Sequence, residues 1–392
     1  MPMKGMVIDM QKTQNTRTVS SRALMPYIKT FVLAMLSCLA FLLMLLAPKQ
    51  GMDGARTGLQ LCGEVIVPSL FPFLVISGFV INTGLAQRLG RLLERPVRAV
   101  FKLPGCAAAA LGLGIIGGYP VGATACADLC KAGALNKDEG ERLLVFCINS
   151  SPAFIIGAVG SGLLGSTQAG LLLYCAHISA SLIIGVLSCA FVKTVKADRG
   201  LSQKAPIKSS PAPAALVRAV TGSAKSILNI CAFVVLFSSL VSLLADTGIL
   251  GGAAAAVNGL MRNNAIDTAL FGGTVKGFLE VTNGCSAAAS QGSMAGILLI
   301  SAFLSWSGLS VIFQVIYSVR DAGLSVKKYL LARLPHMALS TLFTVALFRL
   351  FPVAIPVFAN PSLRLAASVH TAPASAALLI LCSLLLLSQV SV

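Results

Sequence analysis

The sequence predicts an all-α polytopic membrane protein, from its composition, the length of its apolar runs and the placement of its basic residues. Apolar residues make up 56% of the chain and charged residues only 11%, with a mean hydropathy of +0.87. A soluble globular chain carries roughly a quarter of its residues as charged ones, so this chain cannot cover a water-exposed surface. Uncharged runs near the length of about 20 residues that a bilayer core requires recur along it.

The net charge of +17 does not indicate nucleic-acid binding. The basic residues fall in the short segments between apolar runs, where membrane topology places them, and no groove-reading or base-stacking module occurs. The 11 cysteines are scattered singly, and the closest pair, Cys126 and Cys130, does not form a C-x-x-C motif. We therefore predict no nucleic-acid partner, no metal site and no redox chemistry, and expect the cysteines to serve in packing.

The apolar runs define the topology. They cover residues 30–47, 59–84, 105–125, 143–164, 170–192, 223–245, 268–290, 294–317, 337–358 and 373–391. If all of them crossed the bilayer, the basic segment 193–222 would lie outside, against the positive-inside rule. Re-entrant hairpins at 105–125 and 268–290 remove this conflict. The sequence thus predicts about eight transmembrane helices plus two re-entrant helical hairpins, with these basic segments and the N-terminus on the cytoplasmic side: 1–29, 85–104, 193–222 and 320–333.

The two segments assigned as hairpins also have compositions that resist spanning. Glycines and Pro120 interrupt the first, and glycines, Lys276 and Glu280 interrupt the second. A glycine costs a helix interior about 1 kcal/mol relative to alanine. Irregular backbone at membrane depth is tolerated only inside protein or beside a water-filled cavity. The alternative is that these glycines only allow close helix packing.

The halves on either side of 193–222 repeat one order: a span, a glycine-rich run, and a span with a polar cluster. Inverted repeats with interrupted segments at matching positions are typical of secondary transporters. We divide the chain into a cytoplasmic basic tail (1–29), a first transmembrane helix and loop (30–58), a first repeat (59–192), a flexible cytoplasmic linker (193–222), a second repeat (223–358) and a C-terminal hydrophobic segment (359–392).

The first interruption predicts an anion site. Pro120 removes a backbone donor, and the glycines beside it let the chain turn. A helix that restarts here would direct free N–H groups and a positive dipole end at the membrane midplane, which suits a carboxylate. The candidate binding residues are Gly118, Tyr119, Pro120, Gly122 and Thr124. A simple helix kink is the alternative.

The second interruption holds an acidic and a basic residue inside an apolar run. Lys276 and Glu280 lie four positions apart, so they would share a helix face and could pair. An ionisable residue at membrane depth indicates function. We expect Glu280 to bind a coupling ion, a proton or sodium, and Lys276 to meet an anionic substrate, with Thr282 and Asn283 supplying hydrogen bonds. The alternative is a pair that neutralises itself near the surface.

Two polar clusters at mid-span are the remaining candidates. They are Asn149, Ser150 and Ser151 before Pro152 in the first half, and Ser305 and Ser307 in the second. We expect both to face a cavity. His177 lies in an apolar run, where a hydrogen-bonded packing role is favoured over proton relay. No H-E-x-x-H, G-x-S-x-G, phosphate loop or carboxylate pair occurs, so we predict no catalytic residues and no enzyme.

These motifs resemble the YlbJ family of sporulation integral membrane proteins. The segments that carry the resemblance are 118–123, 131–133, 139–143, 146–157, 277–284 and 305–310, within about residues 30–350. The resemblance implies that the two repeats are nucleoside-recognition Gate domains, distantly similar to concentrative nucleoside transporters, whose inverted repeats carry hairpins that enter from opposite sides. It also implies a role in endospore formation, in moving dipicolinic acid across the outer forespore membrane for cortex formation.

The sequence thus predicts an alternating-access carrier of a small organic anion, with dipicolinate as the first candidate. The alternatives are a nucleoside carrier and a non-transporting membrane scaffold for spore-envelope assembly. The partners expected are the substrate and the lipid bilayer, and a homo-oligomer is an open alternative to a monomer.

Overall fold

The computed structural model describes residues 30–31, 34–35, 37–85, 92–189, 211–248, 251–252, 255, 268–353 and 355. The basic tail, residues 193–210 of the linker and the segment 359–392 lie outside the described residues. Every regular element within them is helical, as predicted. The helices are Ser37–Leu46, Pro48–Leu61, Cys62–Ile66 (π), Val67–Asn82, Glu94–Phe101, Ala107–Gly117, Tyr119–Lys131, Lys137–Cys147, Ala153–Leu163 (π), Thr167–Leu187, Ala212–Asp246, Thr268–Leu279, Val281–Ala289, Met294–Trp306, Gly308–Val319, Arg320–Ala322 (3-10) and Lys327–Leu350.

The protein is an integral membrane protein by the length and composition of these helices. Four described stretches could each cross a bilayer: Thr167–Leu187, Ala212–Ala245, Met294–Ala322 and Lys327–Leu350. A pair bent by 52°, Pro48–Ile66 with Leu70–Ile76, would make a fifth. The total of eight spans and the re-entrant position of the hairpins stay predictions.

The linker predicted at 193–222 ends earlier than expected. The helix that follows begins at Ala212 and runs for 35 residues to Asp246, so residues 212–222 are helical. Pro211 caps it and Pro213 lies in its first turn, where a missing N–H costs nothing. Alanines then favour the helix. Proline here therefore starts a helix, whereas the sequence pattern indicated a flexible segment.

Both glycine-rich runs fold back on themselves. The first hairpin consists of Ala107–Gly117 and Tyr119–Lys131, and a Cβ built on Gly114 would lie 3.3 Å from the Cα of Gly122. Residues eight apart in a continuous helix would be separated by about 12 Å, so the chain has reversed. A simple kink at Pro120 is therefore excluded.

The second hairpin consists of Thr268–Leu279 and Val281–Ala289. A Cβ on Gly284 would lie 2.8 Å from the backbone N of Gly277 and would collide with its Cα. Glycine is needed at such a place because the two backbones touch. The paired glycines therefore close both hairpins.

An interrupted helix follows each hairpin. The first consists of Lys137–Cys147 and Ala153–Leu163, joined by a non-helical stretch at 148–152. The second consists of Met294–Trp306 and Gly308–Val319, joined at Ser307, whose φ is +80°. Both predicted polar clusters thus lie at backbone breaks.

The two ends of the first hairpin lie on the same side of the protein. Arg142 Nη2, beyond the hairpin, donates to the carbonyls of Phe101 at 2.7 Å and Lys102 at 3.0 Å, which precede it. Asp138 and Glu141 lie on the same interrupted helix as Arg142. They pair with Nζ of Lys328, at 3.4 Å and 3.1 Å, on the helix Lys327–Leu350. The segments 85–104 and 320–333, which the distribution of basic residues assigned to one side of the membrane, therefore both contact the start of this helix.

The order of elements repeats in the two halves. A helix, a hairpin, an interrupted helix and a closing helix follow one another, first at 67–187 and again at 212–350. The interrupted helix packs against the glycine pair of its own hairpin in both halves. Cys147 lies against Gly114 and Gly122, and Phe303 lies against Gly277 and Gly284. The hairpin tips are thereby directed toward the breaks.

Candidate functional site

A cavity of about 80 Å³ lies where the two hairpin tips, both interrupted helices and two further helices come together. Its walls are mostly apolar, with a few hydroxyls, one amide and one carboxylate. The lining residues are Leu70, Leu74, Gly117, Gly118, Tyr119, Pro120, Val121, Ser150, Ser151, Phe154, Ser226, Ile230, Phe233, Glu280, Val281, Thr282, Ser310, Val311 and Gln314. An apolar pocket with a few convergent polar groups is typical of a small-molecule site.

The first tip presents a bare helix N-terminus. Gly118 has a φ of +89°, a conformation that glycine adopts without strain, and the helix after it begins at Tyr119 with Pro120 in its first turn. No side chain caps this helix. Its first backbone N–H groups therefore remain available to an acceptor in the cavity. The Tyr119 hydroxyl points away and donates to the carbonyl of Leu304 at 2.6 Å.

The second tip presents an acid. Glu280 leaves the helical conformation, with φ −145° and ψ 122°, and its carboxylate caps the helix Val281–Ala289. One carboxylate oxygen accepts from the backbone N–H of Asn283 at 2.7 Å and the other from the hydroxyl of Thr282 at 3.1 Å. Only 3% of Glu280 is exposed. A buried carboxylate therefore lines the same cavity as the bare N-terminus.

The predicted pairing of Lys276 with Glu280 is wrong. The helix that carries Lys276 ends at Leu279, so the two side chains do not share a face. The Glu280 carboxylate turns forward to the next helix, and no ion pair joins it to Lys276 among the described residues. Lys276 is half-buried and does not line the cavity.

Seven of the predicted site residues line the cavity. They are Gly118, Tyr119, Pro120, Ser150, Ser151, Glu280 and Thr282. They come from both hairpin tips and from the first break, which are far apart in the sequence. The interruptions in the two halves thus converge at one place.

The other predicted residues lie outside the cavity lining. They are Gly122, Thr124, Asn149, Lys276, Asn283, Ser305 and Ser307. Gly122 packs against Gly114, and the Thr124 hydroxyl donates to the carbonyl of Pro120 at 2.8 Å. Asn149 Nδ2 donates to the carbonyl of Phe146 at 2.8 Å. These contacts shape the backbone around the site.

Asn283 and Ser305 also make structural contacts. Asn283 Oδ1 accepts from the Ser238 hydroxyl at 2.9 Å. This bond joins the second hairpin to the helix Ala212–Asp246. Ser305 lies 3.3 Å from His177 Nδ1. Ser310, on the helix after the second break, lines the cavity where the sequence analysis placed Ser305 and Ser307.

Arg333 is the main residue that the sequence analysis missed. The sequence analysis counted it among the cytoplasmic basic residues of 320–333. In the structure it belongs to the helix Lys327–Leu350 and is fully buried. Its guanidinium donates to the carbonyls of Val145 at 2.9 Å, Ile148 at 3.4 Å and Ser305 at 3.3 Å. These carbonyls lie at or just beyond the C-terminal ends of two interrupted helices, where a cation is favourable.

Two buried histidines join the same breaks. His177 Nε2 accepts from the backbone N–H of Ser150 at 3.2 Å, and its Nδ1 lies 3.3 Å from the hydroxyl of Ser305. Because Nε2 accepts, His177 is neutral with its proton on Nδ1. His336 Nε2 lies 3.0 Å from the carbonyl of His177 and donates to it. His177 is thus hydrogen bonded, as the packing interpretation requires.

Buried polar atoms without partners gather around these contacts. They include the hydroxyl oxygens of Ser150, Ser307 and Tyr329, Nε of Arg333 and Nδ1 of His336. Buried polar groups are normally paired, by protein or water, so this region is polar enough to hold water next to the cavity. Among the described residues, no group of three His, Cys, Asp or Glu side chains could hold a metal ion.

Comparison with known proteins adds a relative. The chain is 27% identical to the sporulation integral membrane protein YlbJ of Bacillus subtilis (strain 168) over 322 residues, 77% of this chain and 78% of that protein. This similarity confirms the resemblance that the motifs indicate. A solved structure of a CNTnw variant in its intermediate 3 state covers 75% of this chain and 77% of its own, with 13% identity and a TM-score of 0.46, from which neither a shared fold nor a shared function follows. No protein-family model matches the chain.

Proposed function

We propose that the protein is a secondary, alternating-access carrier of a small organic anion, and that it is not an enzyme. Dipicolinic acid, moved across the outer forespore membrane in support of cortex formation, is the first candidate substrate. In this proposal the N-terminus is cytoplasmic and the two hairpins are re-entrant, entering from opposite sides. The observation that carries the proposal is the cavity between two interrupted hairpin tips from the two halves.

The interrupted backbone supports a carrier over a scaffold. Non-helical backbone at membrane depth leaves polar groups without partners and is tolerated where it lines a cavity. Here the tip at Gly118, the tip at Glu280 and the break at 148–152 all border one cavity. A scaffold would not need backbone breaks that meet at one place. Pairs of interrupted helices around a site between repeats are the usual construction of secondary transporters.

The polar groups of the first half favour an anion. The uncapped N-terminus at Tyr119 offers backbone N–H donors, and the hydroxyls of Ser150 and Ser151 lie beside it. Arg333 lies just behind this wall: Tyr119 donates to the carbonyl of Leu304, and Arg333 donates to that of the next residue, Ser305. No carboxylate pairs with Arg333 among the described residues.

The apolar walls favour a flat ring. Phe154 and Phe233 line the cavity together with aliphatic side chains, and the first hairpin tip presents backbone N–H donors to the same space. A planar aromatic acid could place its ring between such walls and its carboxylate at the N-terminus of the helix that begins at Tyr119. Dipicolinate, a pyridine dicarboxylate, has this shape.

The test is transport by the purified protein in liposomes. We expect saturable uptake of radiolabelled dipicolinate, reduced at least ~10-fold by replacing Ser150 with valine, which removes a hydroxyl of the cavity wall while adding apolar bulk. Ser226→Val is the matched control, because Ser226 lines the same cavity from the helix Ala212–Asp246 and its hydroxyl donates to the carbonyl of Gly222. Uptake that is unaffected by Ser150→Val would place the anion elsewhere.

A nucleoside is the second candidate substrate, because Glu280 and Gln314 could accept and donate hydrogen bonds to a sugar and a base. Uridine and adenosine added in excess would then compete with dipicolinate or be taken up themselves. The anion proposal predicts no competition. Absence of flux for all of these compounds, with folded protein, would favour the scaffold.

A further inference from the structure

We propose that Glu280 takes up and releases one proton in each transport cycle, so that movement of the anion is coupled to movement of a proton in the same direction. This inference rests on the proposed carrier function and adds its coupling ion. On the side where the cavity opens, a proton from water adds to a carboxylate oxygen of Glu280. It returns to water when the cavity opens on the other side, and no other bond forms or breaks.

The first argument is that Glu280 is buried without a cation. The buried acidic residues of the described chain are Glu141 and Glu280. Glu141 pairs with Lys328 Nζ at 3.1 Å and also accepts from the backbone N–H of Ser325 at 3.1 Å. Glu280 has no basic partner among the described residues. A buried charge that is not paired tends to be neutralised by taking up a proton.

The second argument is that the partners of Glu280 accept both of its charge states. The backbone N–H of Asn283 donates to one carboxylate oxygen whether or not the other is protonated. The hydroxyl of Thr282 donates to the ionised form and, by rotating, accepts from the protonated form. A proton can therefore come and go without leaving a buried polar group unpaired.

Among the described residues, no basic side chain and no second carboxylate contacts Glu280. Lys276, on the other limb of the hairpin, does not pair with it. The thiols of Cys62, in the π-helix Cys62–Ile66, and of Cys285, on the helix that Glu280 caps, lie near it. The first hairpin contributes Tyr119, whose hydroxyl points away to the carbonyl of Leu304. The interrupted helices contribute Ser150, Ser151, Ser310 and Gln314 to the shared cavity, and none of them is charged.

The third argument is that Glu280 and the anion share one cavity. An ionised Glu280 repels an anion bound at the bare N-terminus in the same cavity, and protonation removes that repulsion. Proton and anion therefore favour each other's binding, and the coupling is reciprocal. A sodium ion fits less well, because the ligands around the carboxylate are a donor N–H and a hydroxyl rather than a cage of oxygens.

The experiment uses the full-length protein in liposomes with labelled dipicolinate. With more acid outside, we expect initial uptake to rise at least ~10-fold over that at equal pH on both sides, without sodium. In Glu280→Gln this stimulation should vanish, and the readout is the ratio of uptake with and without the pH difference rather than the absolute rate. Glu280→Asp should keep the stimulation. Glu141→Gln is the matched control, a buried carboxylate outside the cavity, and it should also keep it.

A second measurement does not depend on any variant. Dipicolinate is added to weakly buffered detergent-solubilised protein at a series of pH values from about 7 to 9, where its own carboxyl groups are ionised. Wherever Glu280 is ionised in the free protein, binding should draw up to one proton from solution per anion bound. Binding without proton uptake at every pH of the series, or stimulation that survives in Glu280→Gln, would overturn the coupling proposal alone. Wild-type protein that neither binds nor exchanges dipicolinate would overturn the carrier proposal, and this one with it.

Discussion

The two hairpins share a backbone design and differ in the chemistry of their tips. In each, a pair of glycines, Gly114 with Gly122 and Gly277 with Gly284, lets the two limbs touch. The first tip is a glycine with positive φ followed by an uncapped helix, whereas the second is Glu280, which caps its own helix. The first tip therefore offers hydrogen-bond donors to a ligand. The second offers a carboxylate that already caps its own helix.

This difference separates what the repeat preserves from what it varies. The glycine pair determines the shape and must be present in both halves, because a Cβ there would strike the opposite limb or the interrupted helix packed against it. The tip residue determines the charge of the cavity wall, and the two halves supply opposite preferences. A cavity between them can hold an anion at one tip and a protonatable group at the other tip, which neither hairpin could do alone.

The largest expected effect comes from breaking the shared design. Gly114→Ala forces a Cβ into the carbonyl of Cys147, and Gly284→Ala forces one into the opposite limb at Gly277. Each should cost about 3 kcal/mol or more of the free energy of unfolding. The measurement is thermal unfolding of the purified protein in detergent, with folded yield. Gly112→Ala and Gly272→Ala are the controls, because a Cβ at either site meets nothing within 4 Å. Equal stability of test and control variants would contradict the closed hairpins.

The second effect concerns the contact that joins the breaks of the two halves. Arg333→Lys keeps the charge but cannot reach three carbonyls on two helices with one planar group. We expect a loss of about 1–3 kcal/mol, since each buried acceptor left without a partner carries a penalty, and a lowered maximal rate of flux. Arg320→Lys is the control, because its side chain is exposed and its contacts, with Asp321 and the ring of Tyr317, lie at the surface. An unchanged melting temperature for Arg333→Lys would show that the carbonyls find water instead.

The features of the fold and site that the sequence could predict are those formed by residues close together in the chain. Glycine density and proline act locally, so the interruptions at the two hairpins and the opening before Pro152 could be predicted. Ser307 was found as a polar residue at mid-span, but the break there was not predicted. The pairing of Lys276 with Glu280 failed because it assumed a continuous helix, and a helix end at Leu279 leaves no strong local signal when the capping residue is a glutamate.

Arg333 could not be assigned from its neighbours in the sequence. It follows Lys327 and Lys328, so charge counting placed it in a cytoplasmic loop. Its partners lie in segments 28 to 188 residues away, and no spacing rule reports contacts at that range. The one available signal was an arginine on the apolar face of the helix that includes Tyr329 and His336. The same limit applies to Ser310, which reaches the cavity only because Ser307 adopts a positive φ.

The third effect tests the bare tip. Gly118→Ala places a Cβ 3.1 Å from that of Ser151 on a backbone with φ +89° and ψ −171°, and the strain should cost about 1–3 kcal/mol. Gly133→Ala is the control: its φ is +71°, its surroundings are open, and it does not line the cavity. Both variants should lose stability, Gly118→Ala the more, but only Gly118→Ala should raise the KM for dipicolinate, by about 10-fold if the anion binds at this N-terminus. A raised KM in both would trace the effect to stability alone.

The smallest effect is expected at Lys276, which separates an anion site at the first tip from one at the second. If the second hairpin bound the anion through this lysine, Lys276→Ala would remove a direct ion pair and lower uptake of dipicolinate by about 10-fold or more. Because Lys276 neither lines the cavity nor pairs with Glu280, we expect uptake within about twofold of wild type. Uptake should also keep its stimulation by external acid, since the proton site is the carboxylate alone. A large loss in Lys276→Ala with intact folding would mean that the second tip rearranges in the loaded carrier, and that the donor and acceptor roles of the two hairpins are exchanged during the cycle.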